Sequence, residues 1–119
     1  MELRRTKRYY VQAPASFSWK DSNKSSQTAE GMTRDISTQA IFVVASHCPR
    51  AGDQLRLDVQ LPSLRGTPGV RLGGDGIVLR VDRTESGATG FAVATTLRSE
   101  VRDAMDILLK RHTDWGRTQ

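Results

Sequence analysis

Two short stretches hold the side chains best suited to gripping a ligand. RRTKRYY at 4–10 sets Arg4, Arg5, Lys7 and Arg8 close together, and TRDISTQA at 33–40 places Asp35 and Ser37 just before an apolar run that begins at Ile41. A guanidinium forms paired hydrogen bonds with phosphate and lies flat on aromatic rings. It also pairs with the O6 and N7 edge of guanine. A carboxylate accepts the N1 and N2 hydrogens of that base, and a hydroxyl donates to phosphate. Each stretch has a plainer reading beside this one. The basic segment equally suits a solvated arm. Asp35 and Ser37, taken alone, better suit an Asx or Ser turn that closes a hairpin.

No catalytic set accompanies these residues. His47 and Cys48 are adjacent, so on a strand they point to opposite faces. Two histidines and one cysteine without ligand spacing argue against a metal site. No Ser, His and Asp arrangement suggests a triad. GGDG at 73–76 is shorter than a phosphate loop and lacks its Lys, so it reads as a bulge or bend entering a strand at Ile77. The chain is expected not to be an enzyme and to need neither metal nor cofactor.

The elements that must position the two stretches are mostly strands. Val11, Ala13, Ala15, Phe17 and Trp19 recur at every second position, as do Leu55, Leu57, Val59 and Leu61. Ile77, Leu79 and Val81 repeat the pattern, which is that of half-buried strands. Ile41 to Val44 is a continuous apolar run rich in β-branched residues, and Phe91 to Thr95 continues the theme. Polar, Gly and Pro segments at 20–27, 49–53, 62–69 and 85–90 supply the turns. Six short strands separated this way predict a small antiparallel barrel or sandwich. The period then changes. Val101, Ala104, Met105, Leu108 and His112 recur at helical spacing, with Ser99 as N-cap, so a helix over about 99–112 is expected to cover the barrel. The whole of 1–119 reads as one domain, with the barrel over about 9–97.

Composition fits this frame. The chain has 119 residues, 37% hydrophobic and 26% charged, an ordinary globular balance. Its net charge of +5 favours an anionic partner. No apolar run is long enough to cross a membrane, and no stretch reads as a signal peptide. Cys48 is the only cysteine, so no intrachain disulfide forms and a reducing cytoplasm is the expected setting.

Taken together, the stretches are more specific than either alone. Arg4-x-x-x-Arg8 is followed by a strand, a polar loop and a second strand, then by Asp35-x-Ser37-x-x-Ala40 and Ile41-Phe42-Val43. This order resembles the PilZ domain family, whose ligand motifs are RxxxR and (D/N)xSxxG. The resemblance continues through CPRAGDQLRLDVQL at 48–61, GIVLRV at 76–81 and GFAV at 90–93. It implies a six-stranded antiparallel β-barrel with a C-terminal α-helix, from bacteria, that binds the second messenger cyclic di-GMP. Such a domain does no chemistry and passes a change of contacts to a downstream protein partner.

Carried over by position, Arg4 and Arg8 would grip phosphate and guanine edges, Asp35 would read a guanine, and Ser37 would support the ligand beside it. Arg5 joins this set, although it and Lys7 match no invariant position and add positive field. Ala40 stands where the motif ends in Gly. The added methyl either crowds the ligand or, if the turn needs positive φ, shifts it. Two other functions remain in view. Ala40 favours a PilZ-like protein-interaction module that binds no nucleotide, whereas the intact arginines, Asp35 and Ser37 oppose it. A basic nucleic-acid-binding barrel would stack bases on surface aromatics. Only Tyr9 and Tyr10 qualify, because Phe17 and Trp19 fall on the expected core face.

Overall fold

Among the described residues, alternating side chains and polar turns set out seven strands. A computed structural model describes residues 8–37, 39–63, 68–95 and 97–98. The expected helix over about 99–112, together with Arg4, Arg5 and Lys7, lies outside the described residues. The strands are β1 (Arg8–Tyr10), β2 (Pro14–Lys20), β3 (Ser26–Ser37), β4 (Ala40–Val44), β5 (Gln54–Leu61), β6 (Val70–Arg83) and β7 (Thr89–Thr95). Neighbours are antiparallel in the order β3-β2-β5-β6-β7-β4, and β4 pairs back onto β3 to close a six-stranded barrel. β1 is an extra strand laid along the far end of β3. Closure removes the exposed edges that a flat sheet of this size would present.

Inward-facing residues of the alternating strands meet in one core. Phe17, Leu57, Val59, Leu72, Phe91 and Val93 are all buried there. The Phe17 ring stacks on Trp19 at 5.6 Å and meets the edge of Phe91 at 4.9 Å. Such ring pairs add about 0.5–1.5 kcal/mol beyond the area they bury.

The long first strand expected through Val11–Trp19 is divided. Residues 11–13 face residues 33–34 of β3 without regular pairing, which separates β1 from β2. Thr33 supports the break. Its hydroxyl accepts from the Ala13 amide at 3.0 Å and donates to the Val11 carbonyl, and its own amide donates to the Ala13 carbonyl at 2.9 Å. Buried backbone groups that leave a ladder need such partners, and a buried threonine supplies them here.

β6 departs from the sequence expectation in a second way. Alternation from Ile77 placed Ile77, Leu79 and Val81 on the half-buried face. The structure buries Val78, at 1% exposure, and leaves Ile77 at 46% and Leu79 at 52%. Val78 lies opposite the inward-facing Val93, and the register with β7 then shifts between Val78 and Arg80. The bulge therefore falls at Leu79. GGDG holds regular pairing with β5, from Gly73 opposite Asp58 to Gly76 opposite Leu55, and forms no bend.

Barrel closure leaves no room for a side chain at Gly31. A Cβ there would stand 2.4 Å from the Val44 carbonyl oxygen and 2.9 Å from the Ala45 Cβ. Gly31→Ala is expected to destabilise the fold by about 1–3 kcal/mol, the usual cost of overpacking. A urea midpoint equal to wild type would show that β3 and β4 separate freely at this point.

Candidate ligand-binding site

A β-bulge builds the site. Thr33 faces inward opposite Val43, and Ile36 faces inward opposite Ile41, but two residues lie between them on β3 and only Phe42 between their partners on β4. Arg34 is the extra residue. The bulge turns Arg34 and Asp35 onto the same outer side, where simple alternation would have turned Asp35 inward with Thr33. Both Asp35 and Ser37, expected to follow the second strand, lie within β3. Arg8, expected ahead of the first strand, lies in β1 opposite Ser37, and Tyr10 lies opposite Asp35. Tyr9 alternates with them and is buried in the core. The outer wall thus brings Arg8, Asp35 and Ser37 together.

Asp35 is the most enclosed charge of this group, 6% exposed. Its Oδ1 stands 3.7 Å from Arg8 Nε, and its Oδ2 accepts a 2.7 Å hydrogen bond from Arg34 Nε. The Arg34 guanidinium carbon also lies 4.0 Å from the centre of the Phe42 ring. A carboxylate between two guanidinium groups is a junction that an incoming hydrogen-bond donor or phosphate can share or rearrange.

Ser37 closes the turn into β4. Its oxygen accepts from the Ala40 amide at 3.1 Å and the Gln39 amide at 3.3 Å, and its hydroxyl donates to the Ala40 carbonyl at 3.0 Å. The turn role weighed for this serine is therefore filled. To donate to phosphate, the hydroxyl must leave the Ala40 carbonyl. Ala40 itself opens β4 opposite Ala94. Lys24 is the one non-glycine residue with positive φ among the described residues, so Ala40 stands in ordinary strand backbone. The turn has no need of the glycine that the motif carries at this place, and the only local difference is one methyl on the outer wall.

Reading residues missed Arg34 and Phe42. The signals were adjacent, Arg34 beside Asp35 in TRDIS and Phe42 inside an apolar run, but their meeting depends on the bulge. The described residues contain no group of three or more metal-ligating side chains. Burial pushes the Cys48 thiol up, the reverse of what a nucleophilic cysteine requires. No helix among the described residues is long and apolar enough to cross a membrane.

The chain thus forms a closed six-stranded barrel with an arginine-bearing lead strand and an Asp-x-Ser element on its outer wall. The PilZ domain model matches residues 2–112, and the chain belongs to the PilZ domain family. Among solved structures, the Bacillus subtilis inhibitor of motility MotI/DgrA superposes with a TM-score of 0.68 at 15% sequence identity. The match covers 96% of this chain and 53% of that one, so the chain spans about half the length of that protein. At this identity the likeness is one of fold. No curated protein matches the chain.

Proposed function

We propose that this chain is a cyclic di-GMP receptor that passes ligand binding to a protein partner in a bacterial cytoplasm. The observation that carries the reading is the grouping of Arg8, Asp35 and Ser37 on one outer wall, with Arg8 3.7 Å from Asp35. In this reading Arg8 grips phosphate or a guanine edge, joined by Arg4 and Arg5 from the preceding segment. Asp35 accepts the guanine N1 and N2 hydrogens, and Ser37 and Ala40 border the ligand. Binding competes for contacts that already exist. A ligand that draws Arg8 from Asp35, or the Ser37 hydroxyl from the Ala40 carbonyl, changes β1 and the β3–β4 turn, and a partner can read that change.

Calorimetric titration of cyclic di-GMP into wild type and Arg8→Ala tests the assignment. A hydrogen bond to a charged group contributes about 1.5–3 kcal/mol, so Arg8→Ala is expected to weaken binding roughly 10- to 150-fold with the fold intact. Equal affinity in the two proteins contradicts it. A parallel titration with single-stranded RNA at two salt concentrations separates this function from a nucleic-acid-binding barrel, whose affinity falls steeply with salt.

The engaged Ser37 hydroxyl and the methyl of Ala40 favour a second reading, a PilZ protein-interaction module without nucleotide. Ala40→Gly discriminates. Because Ala40 occupies ordinary strand backbone, glycine is expected to cost the fold about 0.5–1 kcal/mol. Removing the methyl is expected to tighten cyclic di-GMP binding by less than about tenfold, roughly 1.4 kcal/mol. Thermal unfolding and titration on the same protein check both numbers. No binding by either protein at millimolar ligand favours the interaction module.

A further inference from the structure

Phe42 is an apolar ring on the wrong side of the barrel. Its neighbours Ile41 and Val43 face the core, whereas Phe42 faces outward opposite Asp35 and Ala92. It is nevertheless almost fully covered, at 3% exposure. Small residues on β7 make its bed. A Cβ on Gly90 would come within 2.4 Å of the Phe42 ring, and Ala92 lies directly opposite on the ladder. Arg34 lies over the ring, its guanidinium carbon 4.0 Å from the ring centre. The Arg34 side chain retains 44% of its exposure.

Arg34 is thus held by two contacts that fix the position of its guanidinium. Nε is bonded to Asp35, and the guanidinium rests on an aromatic ring. A salt bridge alone would not require an outward Phe or the space left by Gly90. A flat cation presented this way is preorganised to receive a second flat ring on its open side. Arg34 and Phe42 also line a groove with Tyr10, Met32, the basic Arg80 and Arg83, and the acidic Asp82 and Glu85.

We infer that Arg34, seated on Phe42, is a ligand-contacting residue of this chain, forming a stacking platform for a guanine base beside Asp35. The inference rests on the cyclic di-GMP reading and adds a base-stacking contact that neither ligand motif contains. Stacking depends on the plane as well as the charge, so lysine should not replace arginine.

The test is titration of cyclic di-GMP into wild type, Arg34→Ala, Arg34→Lys and Phe42→Leu, with thermal unfolding of each. The expected result is binding by wild type and a loss of at least about tenfold in both Arg34 variants, the scale of one base–platform contact. Phe42→Leu should lose less, since the cation remains while its seat loosens. The near-ultraviolet signal of the bound guanine should also approach that of free ligand in the Arg34 variants at saturation. Wild-type affinity in Arg34→Lys would show that charge alone suffices and would overturn the platform, as would wild-type affinity in Arg34→Ala. A loss of affinity with the guanine signal unchanged at saturation would reduce Arg34 to a prop for Asp35 and likewise overturn the inference. Absence of binding by wild type would instead strike the receptor reading, and this inference with it.

Discussion

Asp35→Ala is expected to weaken cyclic di-GMP binding by at least about 100-fold, because two charge-assisted hydrogen bonds of about 1.5–3 kcal/mol each go together. The carboxylate is 6% exposed and lies between Arg8 and Arg34. Its removal deletes the acceptor for guanine N1 and N2. It also frees both arginines from the carboxylate that orients them. Selectivity should fall with affinity, since adenine does not present that pair of hydrogens. The cost to the fold should be small, because both arginines keep much of their exposure to water and partly exposed pairs contribute about 0–1 kcal/mol. Titration with cyclic di-GMP and cyclic di-AMP in parallel checks both effects. A mutant that still prefers cyclic di-GMP as strongly as wild type would leave Asp35 as a structural partner of Arg8 and Arg34 only.

Phe91→Ala is expected to destabilise the barrel by about 3–5 kcal/mol, the usual cost of truncating a buried phenylalanine. Phe91 is fully buried on β7, opposite Val43 on one side and Val81 on the other, and its ring meets Phe17 edge-on. Truncation leaves a void beside the Phe17 ring, where a closed barrel has little freedom to collapse. Domains of this size are stable by about 5–15 kcal/mol, so the variant should be close to unfolding at moderate temperature. A drop of roughly 10–25 °C in melting temperature is the expected reading. A drop below about 5 °C would mean that the core repacks around the gap and that Phe91 is not its centre.

Much of this frame could be read from residue order, because period-two patterning and turn chemistry are local properties. β2, β4, β5 and β7 stand where alternation, apolar runs and flanking Gly or Pro put them. β6 did not, because its six residues from Ile77 to Asp82 contain apolar side chains on both alternating faces. Only pairing with Val93 decides that Val78 is the inward one. The division between β1 and β2 also escaped, since it depends on Thr33, twenty residues away from its partner Ala13.

The candidate site shows the same limit. The types Arg8, Asp35 and Ser37 were legible, and so was the choice at Ala40 between a backbone demand and a crowding methyl. The face on which they meet was not, because a one-residue bulge at Arg34 changes the direction of every later side chain on β3. The Arg34–Phe42 contact lies on that same hidden step. Bulges arise from two strands together, so a single segment read alone carries little sign of them.

The most direct test of the receptor account is amide chemical-shift mapping on isotope-labelled protein as cyclic di-GMP is added. Binding at the outer wall formed by β1, the bulge of β3 and the turn into β4 predicts saturable shifts largest at Arg8–Tyr10 and at Arg34–Ala40, with small shifts on the β2–β5 wall. No saturable shift at millimolar ligand, or shifts centred on the β2–β5 wall, would contradict it.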